Sequence, residues 1–212
     1  MKDLVIVGAG GFARETAAAA RAAWNVLGFL DDDPALHGAI RTGRPILGGT
    51  ELVHRMPDAA VVVCVGNPRN FTARRRIVER LDLPDERYAT VVHPLASVGA
   101  GSEAGPGTVL LAGTVLTADV SIGSHVAVMP QAVLTHDDRV SDYCTIASGV
   151  RLGGGVVLDE GSYVGAGALV RESVKVGAWS LIGMGSVVLH DVPSNEVWAG
   201  NPAHLIRPLL RS

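Results

Sequence analysis

His136 is followed at once by Asp137 and Asp138, in a stretch, Val133-Leu134-Thr135-His136-Asp137-Asp138, set among small and aliphatic residues. An imidazole titrates near neutrality, so His136 could take a proton from an attacking amine or hydroxyl at working pH. A carboxylate beside the ring raises its basicity, and Asp137 could do this or hold the ring's orientation. Such a base suits transfer of an acyl group that is already activated, as in a thioester. The oxyanion formed on the way needs N–H donors, and a corner such as Gly153-Gly154-Gly155 exposes them. No covalent intermediate is needed, so Cys144 reads as core. Taken without context, a His-Asp-Asp run reads by default as a solvated corner. A three-histidine zinc site is the other alternative, but His125, His136 and His190 lack the close pair expected of it.

The elements that must hold these residues follow two grammars. Counting by six from Val98 gives Val98, Ala104, Leu110, Leu116, Ile122, Val128, Leu134, Val140, Ile146, Leu152, Leu158, Val164, Val170, Val176, Ile182 and Val188. Neither a helix nor a simple strand has that period; a parallel β-helix does, with three hexads to a triangular coil. The aliphatic fills the interior. The residue after it is often glycine (Gly99, Gly105, Gly123, Gly153, Gly165, Gly177, Gly183), read as freeing the corner's backbone. Small or β-branched residues mostly stand two places before it. Asp138 falls on that position and reads as a structural neighbour, while His136 lies outside the interior register.

The first half alternates strand and helix. Leu4-Val5-Ile6-Val7 leads into Gly8-Ala9-Gly10-Gly11 and an Ala-rich helix; further strands are expected at 26–30, 60–65 and from Val91, with a helix carrying Arg74 to Leu81. This is a small parallel sheet, whose ligands bind at the carboxyl ends of the strands. The glycine turn with acids about twenty residues on also fits a dinucleotide fingerprint. Asp31-Asp32-Asp33-Pro34 is either a ligand contact or a polar turn. The division expected is 1–94 for a Rossmann-like acceptor domain, 95–192 for the β-helix and 193–212 for a closing segment.

Bulk properties remove other classes. A formal charge of −3 gives no support for a nucleic-acid partner. Arg69, Arg74, Arg75 and Arg76 read as a solvated helix face, with a phosphate contact as the alternative. Cys64 and Cys144 read as reduced core residues of a cytoplasmic protein. No apolar run approaches the roughly 18 residues a membrane span requires, and the first residues read as strand and turn, not a signal peptide.

The combination of IVGAGGFARE, FLDDD, VGNPRN, the hexads, Thr135-His136-Asp137 and the ending Val197-Trp198-Ala199-Gly200-Asn201-Pro202-Ala203-His204-Leu205-Ile206-Arg207 resembles the hexapeptide-repeat, left-handed β-helix sugar O- and N-acetyltransferases. That group includes sialic-acid O-acetyltransferases and N-acetyltransferases of nucleotide-linked 4-amino sugars. The resemblance covers essentially the whole chain. It implies a homotrimer, acetyl-CoA bound between neighbouring β-helices, no metal, and His136 as general base with Asp137 behind it. It implies acceptor contacts at Gly10, Gly11, Phe12, Asp31, Asp32 and Gly66, and coenzyme contacts at Thr145, Gly154, Ala166 and Gly183. It leaves N- or O-transfer, or a non-catalytic sugar-nucleotide scaffold, as alternatives. Three positions depart from the pattern. Phe12 and Thr145 stand where many members have histidine, and Met129 where many have asparagine.

Overall fold

The computed structural model describes residues 1–209. The front sheet contains β1 (Lys2–Val7), β2 (Trp24–Leu30), β3 (Ile40–Arg41), β4 (Arg44–Gly48) and β5 (Ala60–Val63), in the order β3-β4-β2-β1-β5. β1 runs parallel to both β2 and β5. Helix α1 (Gly11–Ala20) follows β1, and α2 (Ala73–Leu81) follows β5. Ala13, Thr16, Ala17, Ala19 and Ala20 are buried along α1, so it packs closely through small side chains. The β3–β4 hairpin is not legible in the sequence, because β3 is two residues long with no alternation to read. Val91–Val92 is a strand as expected, but it pairs with Val109–Leu110 of the second half and not with the front sheet.

The second half is a triangular prism of short parallel strands, the parallel β-helix expected from the hexads and of the left-handed type that the resemblance implies. One wall, here the docking face, is built on Val109–Leu110, Ala127–Val128, Thr145–Ile146, Tyr163–Val164 and Leu181–Ile182. The next, the aliphatic face, contains Val115–Leu116, Val133–Leu134, Arg151–Leu152, Leu169–Val170 and Val187–Val188. The third, the polar face, contains Ser121–Ile122, Arg139–Val140, Val157–Leu158 and Lys175–Val176. From Leu110 to Val188 the inward aliphatics form one buried column; Val98, at the open end, remains exposed.

The corner glycines act differently from the expectation. None of those directly after the aliphatics has a left-handed φ. They are needed for close approach: a methyl group on Gly165 would sit 2.6 Å from the Ile182 carbonyl oxygen. The left-handed residue comes three places after the aliphatic, and there Asp119, His125, Gln131, Asp137, Tyr143 and Trp179 share the task with glycines.

Side chains two places before the aliphatic tie successive coils. Ser102, Thr108 and Asp138 each accept a hydrogen bond from the backbone N–H eighteen residues on, at Val120, Val126 and Val156. Asp138 is fully buried. Its other oxygen accepts from the Thr135 N–H at 2.8 Å, bracing the corner that carries His136. Burial pushes its carboxyl up to about 7, against the pull of these two donors.

The front domain packs on the docking face through a shared core of α1, Val91, Val109 and Leu111, with Met129 against it. Arg74 corrects the reading of its cluster as solvated. It is buried, and its guanidinium donates to the carbonyls of Tyr143 and Cys144 and to Thr145 Oγ1, each at 2.9 Å. Burial lowers its pKa to about 10, which leaves it a cation at neutral pH.

His125 is buried at the corner between the polar and docking faces, edge-on to Tyr88 and stacked on Tyr143. Its Nδ1 has no hydrogen-bond partner among the described residues. Burial, with the Arg74 charge behind it, lowers its pKa to about 4 from 6.5. The unfolded chain therefore binds the extra proton first, and this ring costs stability as pH falls from 6.5 towards 4. His125→Asn keeps a residue that tolerates the left-handed corner. Its melting temperature should fall less steeply than that of the wild type across that window, as measured by circular dichroism; equal slopes would show that His125 does not titrate there.

Candidate active site

His136 and Asp137 occupy the turn between the aliphatic and polar faces, directly after Val133–Leu134. Both side chains are exposed, at 69% each. Left-handed backbone at Asp137 (φ 65°) is what the corner demands, and aspartate tolerates it. His136 Nδ1 lies 2.7 Å from Asp137 Oδ2. That hydrogen bond, and then the carboxylate's charge, raise the imidazole pKa. With Nδ1 engaged, Nε2 is left to exchange protons with a ligand. The ring lies over Gly154 one coil on, where any side chain would collide with it. Gly154 is thus the floor of the histidine corner, and the adjoining Gly155 N–H donates to the His136 carbonyl.

A cavity of about 230 Å³ opens elsewhere, between the front domain and the docking face. Phe12 and Gly66 line it from the front domain, and Thr145 and Ala166 from the prism. Four of the residues singled out in the sequence therefore meet there. Ala127, Met129, Ala147 and Tyr163 complete a mostly apolar wall. Tyr163 is missed by reading the hexads for their interior; the signal is an aromatic at an outward strand position. Thr145 already holds the buried Arg74, which fixes the cavity's back wall. Gly183 lies farther along the docking face, its N–H donating to Trp198 of the closing hairpin.

The front-domain turn is open. Gly10 and Gly11 have nothing within 4 Å of where a side chain would start, and no side chain caps the start of α1. Exposed N–H groups at a helix start favour an anion such as phosphate. The two acids behind it are committed to the fold. Asp31 accepts from the Ala9 N–H at 3.0 Å and so shapes the turn. Asp32 accepts from Thr50 and pairs with Arg80 at 2.6 Å. Partial burial pushes the Asp32 carboxyl up, but these bonds outweigh it and hold the pKa below the usual value.

The two groups do not meet within one chain. His136, Asp137 and Gly154 occupy the edge opposite the docking face, whereas the cavity and the α1 turn are on the docking side. Among the described residues no cluster of three or more His, Cys, Asp or Glu is placed to hold a metal, and no helix is long and apolar enough to cross a membrane.

Residues 3–81 match the PglD N-terminal domain. The whole chain is similar to a histidine-to-asparagine mutant of perosamine N-acetyltransferase from Caulobacter crescentus, solved in complex with CoA and GDP-perosamine. Identity is 27%, 97% of each chain is covered, and the TM-score is 0.86. The acetyltransferase domain of PglB from Neisseria gonorrhoeae, in complex with acetyl coenzyme A, is 28% identical with a TM-score of 0.86, over 97% of this chain and 99% of that one. The chain is also similar to an acyl-[acyl-carrier-protein]–UDP-N-acetylglucosamine O-acyltransferase of Pseudomonas paraeruginosa, 32% identical over 123 residues, or 58% of this chain. The chain spans about half the length (47%) of that curated relative. A PglD-type front domain joined to a prism of hexad strands is thus an architecture that the chain shares over nearly its whole length with sugar N-acetyltransferases, and its relatives are acyltransferases.

Proposed function

We propose that the protein transfers acetyl from acetyl-CoA to an amino group of a nucleotide-linked sugar, directly and with His136 as general base. The observation that carries this is the His136–Asp137 pair, held on a corner whose interior register it does not disturb. The front domain holds the acceptor, with its phosphates at the open start of α1 and its sugar in the cavity of Phe12, Gly66 and Met129. The coenzyme runs over Gly154 on one side and past Thr145, Ala166 and Gly183 on the other. His136 Nε2 removes the proton as the amine attacks the thioester carbon. Corner N–H groups stabilise the oxyanion, and CoA leaves as the thiol. N-transfer is preferred to O-transfer because the whole-chain similarity is to a perosamine N-acetyltransferase.

Because the histidine corner and the cavity are on different sides of one chain, the site is completed between copies. A homotrimer, which the resemblance to these acetyltransferases implies, would bring the His136 corner of one copy to the docking face of the next.

His136→Asn should lower kcat by about 10²–10⁴ with UDP-, GDP- or dTDP-amino sugars, while calorimetry still detects acetyl-CoA binding. Undiminished turnover would remove the base assignment, and no binding of CoA by the wild type would favour a scaffold role. Asp137→Asn lowers the His136 pKa, so the acidic limb of the kcat/KM profile, where activity rises as the ring loses its proton, should move to lower pH. A limb that does not move would leave Asp137 without that role. Phe12→Trp fills the cavity and should inactivate alone. Co-expressed with His136→Asn, it should regain about a quarter of wild-type activity, since random mixing pairs an intact corner with an intact cavity at one site in four. No regain would mean that each chain completes its own site.

A further inference from the structure

A second cavity, of about 570 Å³, is lined by residues that the acceptor and coenzyme assignments leave unused. The 66–72 loop contributes Gly66 to the acceptor cavity and Arg69, Phe71 and Thr72 to this one, so the two share a wall. Its cations differ in how far they are compensated. Arg75 is paired with Glu79 at 2.6 Å and Glu160 at 3.2 Å. Arg76 donates only to the neutral Asn70 side-chain oxygen, at 2.8 Å. The Arg69 guanidinium has no hydrogen-bond or ion-pair partner among the described residues. Two guanidinium groups are thus available to an anion.

Two further features point the same way. Helix α2 starts beside this cavity, which Thr72, Arg75 and Arg76 line; Thr72 makes no side-chain cap, and the Ala73 N–H reaches only the Asn70 carbonyl, at 3.4 Å, so the positive end of the helix is left without a capping side chain. The other wall is aromatic. Phe71 and Trp179 stack with ring centroids 6.5 Å apart and planes 25° apart. Trp179 is held rigidly, because its ring lies on Gly161, where any side chain would collide with it. The volume falls within the range of about 300–1,000 Å³ usual for small-molecule sites.

We propose that this cavity is a nucleotide subsite distinct from the acceptor cavity. The phosphate would be held by Arg69 and Arg76 at the start of α2, with the base against Phe71 and Trp179. The site stands on its own residues, whatever reaction His136 performs. The same chemistry is offered by the 3′-phosphoadenosine end of a coenzyme, by the nucleotide of the acceptor and by a free nucleotide.

The test is calorimetry on the full chain with adenosine 3′,5′-bisphosphate, GDP and inorganic phosphate. The wild type should bind at least one nucleotide at least tenfold more tightly than phosphate alone. R69Q/R76Q should lose that binding at least tenfold while its circular dichroism is unchanged. Phe71→Leu should weaken nucleotide binding but not phosphate binding, and it decides the matter if the double variant fails to fold. A rise in KM for acetyl-CoA alone in the double variant assigns the site to the coenzyme. A rise for the acceptor alone assigns it to the acceptor, and neither rise, with binding lost, assigns it to a free nucleotide. Nucleotide binding equal in wild type and variants, or phosphate binding as tight as nucleotide binding, overturns the proposal.

Discussion

A triangular coil of this size has room inside for little more than one branched aliphatic per strand, and from Leu110 to Val188 that place is occupied without a break. Interiors packed this way tolerate neither gaps nor extra atoms. Every polar group with chemistry to perform is therefore displaced to the walls and corners. The corners in turn bring successive coils so close that glycines such as Gly165 are needed against backbone, and they set one residue per turn left-handed. Asp137 fills that left-handed place, and His136 stands beside it over the bare Gly154. The geometry of the His-Asp pair is thus a by-product of how the prism turns.

The front domain is tied to this frame by a buried cation. Taking a guanidinium out of water is costly unless its donors are satisfied, and Arg74 satisfies one nitrogen with two carbonyls and a hydroxyl of the prism. Its Nε is left without a partner among the described residues. The same bonds fix Thr145, a wall of the cavity between front domain and prism, so domain docking and cavity shape are one arrangement. Phe12 and Met129 make that cavity apolar at two positions where the resemblance leads one to expect histidine and asparagine. A hydroxyl buried against them would find few partners.

Much of this is legible in the residues. The period of six predicts the prism, and its phase predicts which aliphatics are inside, gives Asp138 a structural place and keeps His136 out of the core; that Asp138 is fully buried emerges only in the fold. Strands β1, β2 and β5 and both helices follow from apolar runs and turn residues, whereas the β3–β4 hairpin does not. The corner glycines are visible, but not their purpose, because close approach between coils is a contact across eighteen residues. Arg74 is misread for a related reason: helical spacing groups it with Arg75 and Arg76, and only the docked prism turns it inward.

Local order in the chain thus determines the two building units and the chemistry available on each, since periodicity and turn propensity act over a few residues. The tertiary structure decides which of those residues meet. It brings Phe12, Gly66, Thr145 and Ala166 to one cavity and leaves His136 and Gly154 on the opposite edge, because the alanine helix is buried between the front sheet and the docking face. No spacing in the sequence carries that choice of face, which rests on packing between surfaces far apart along the chain.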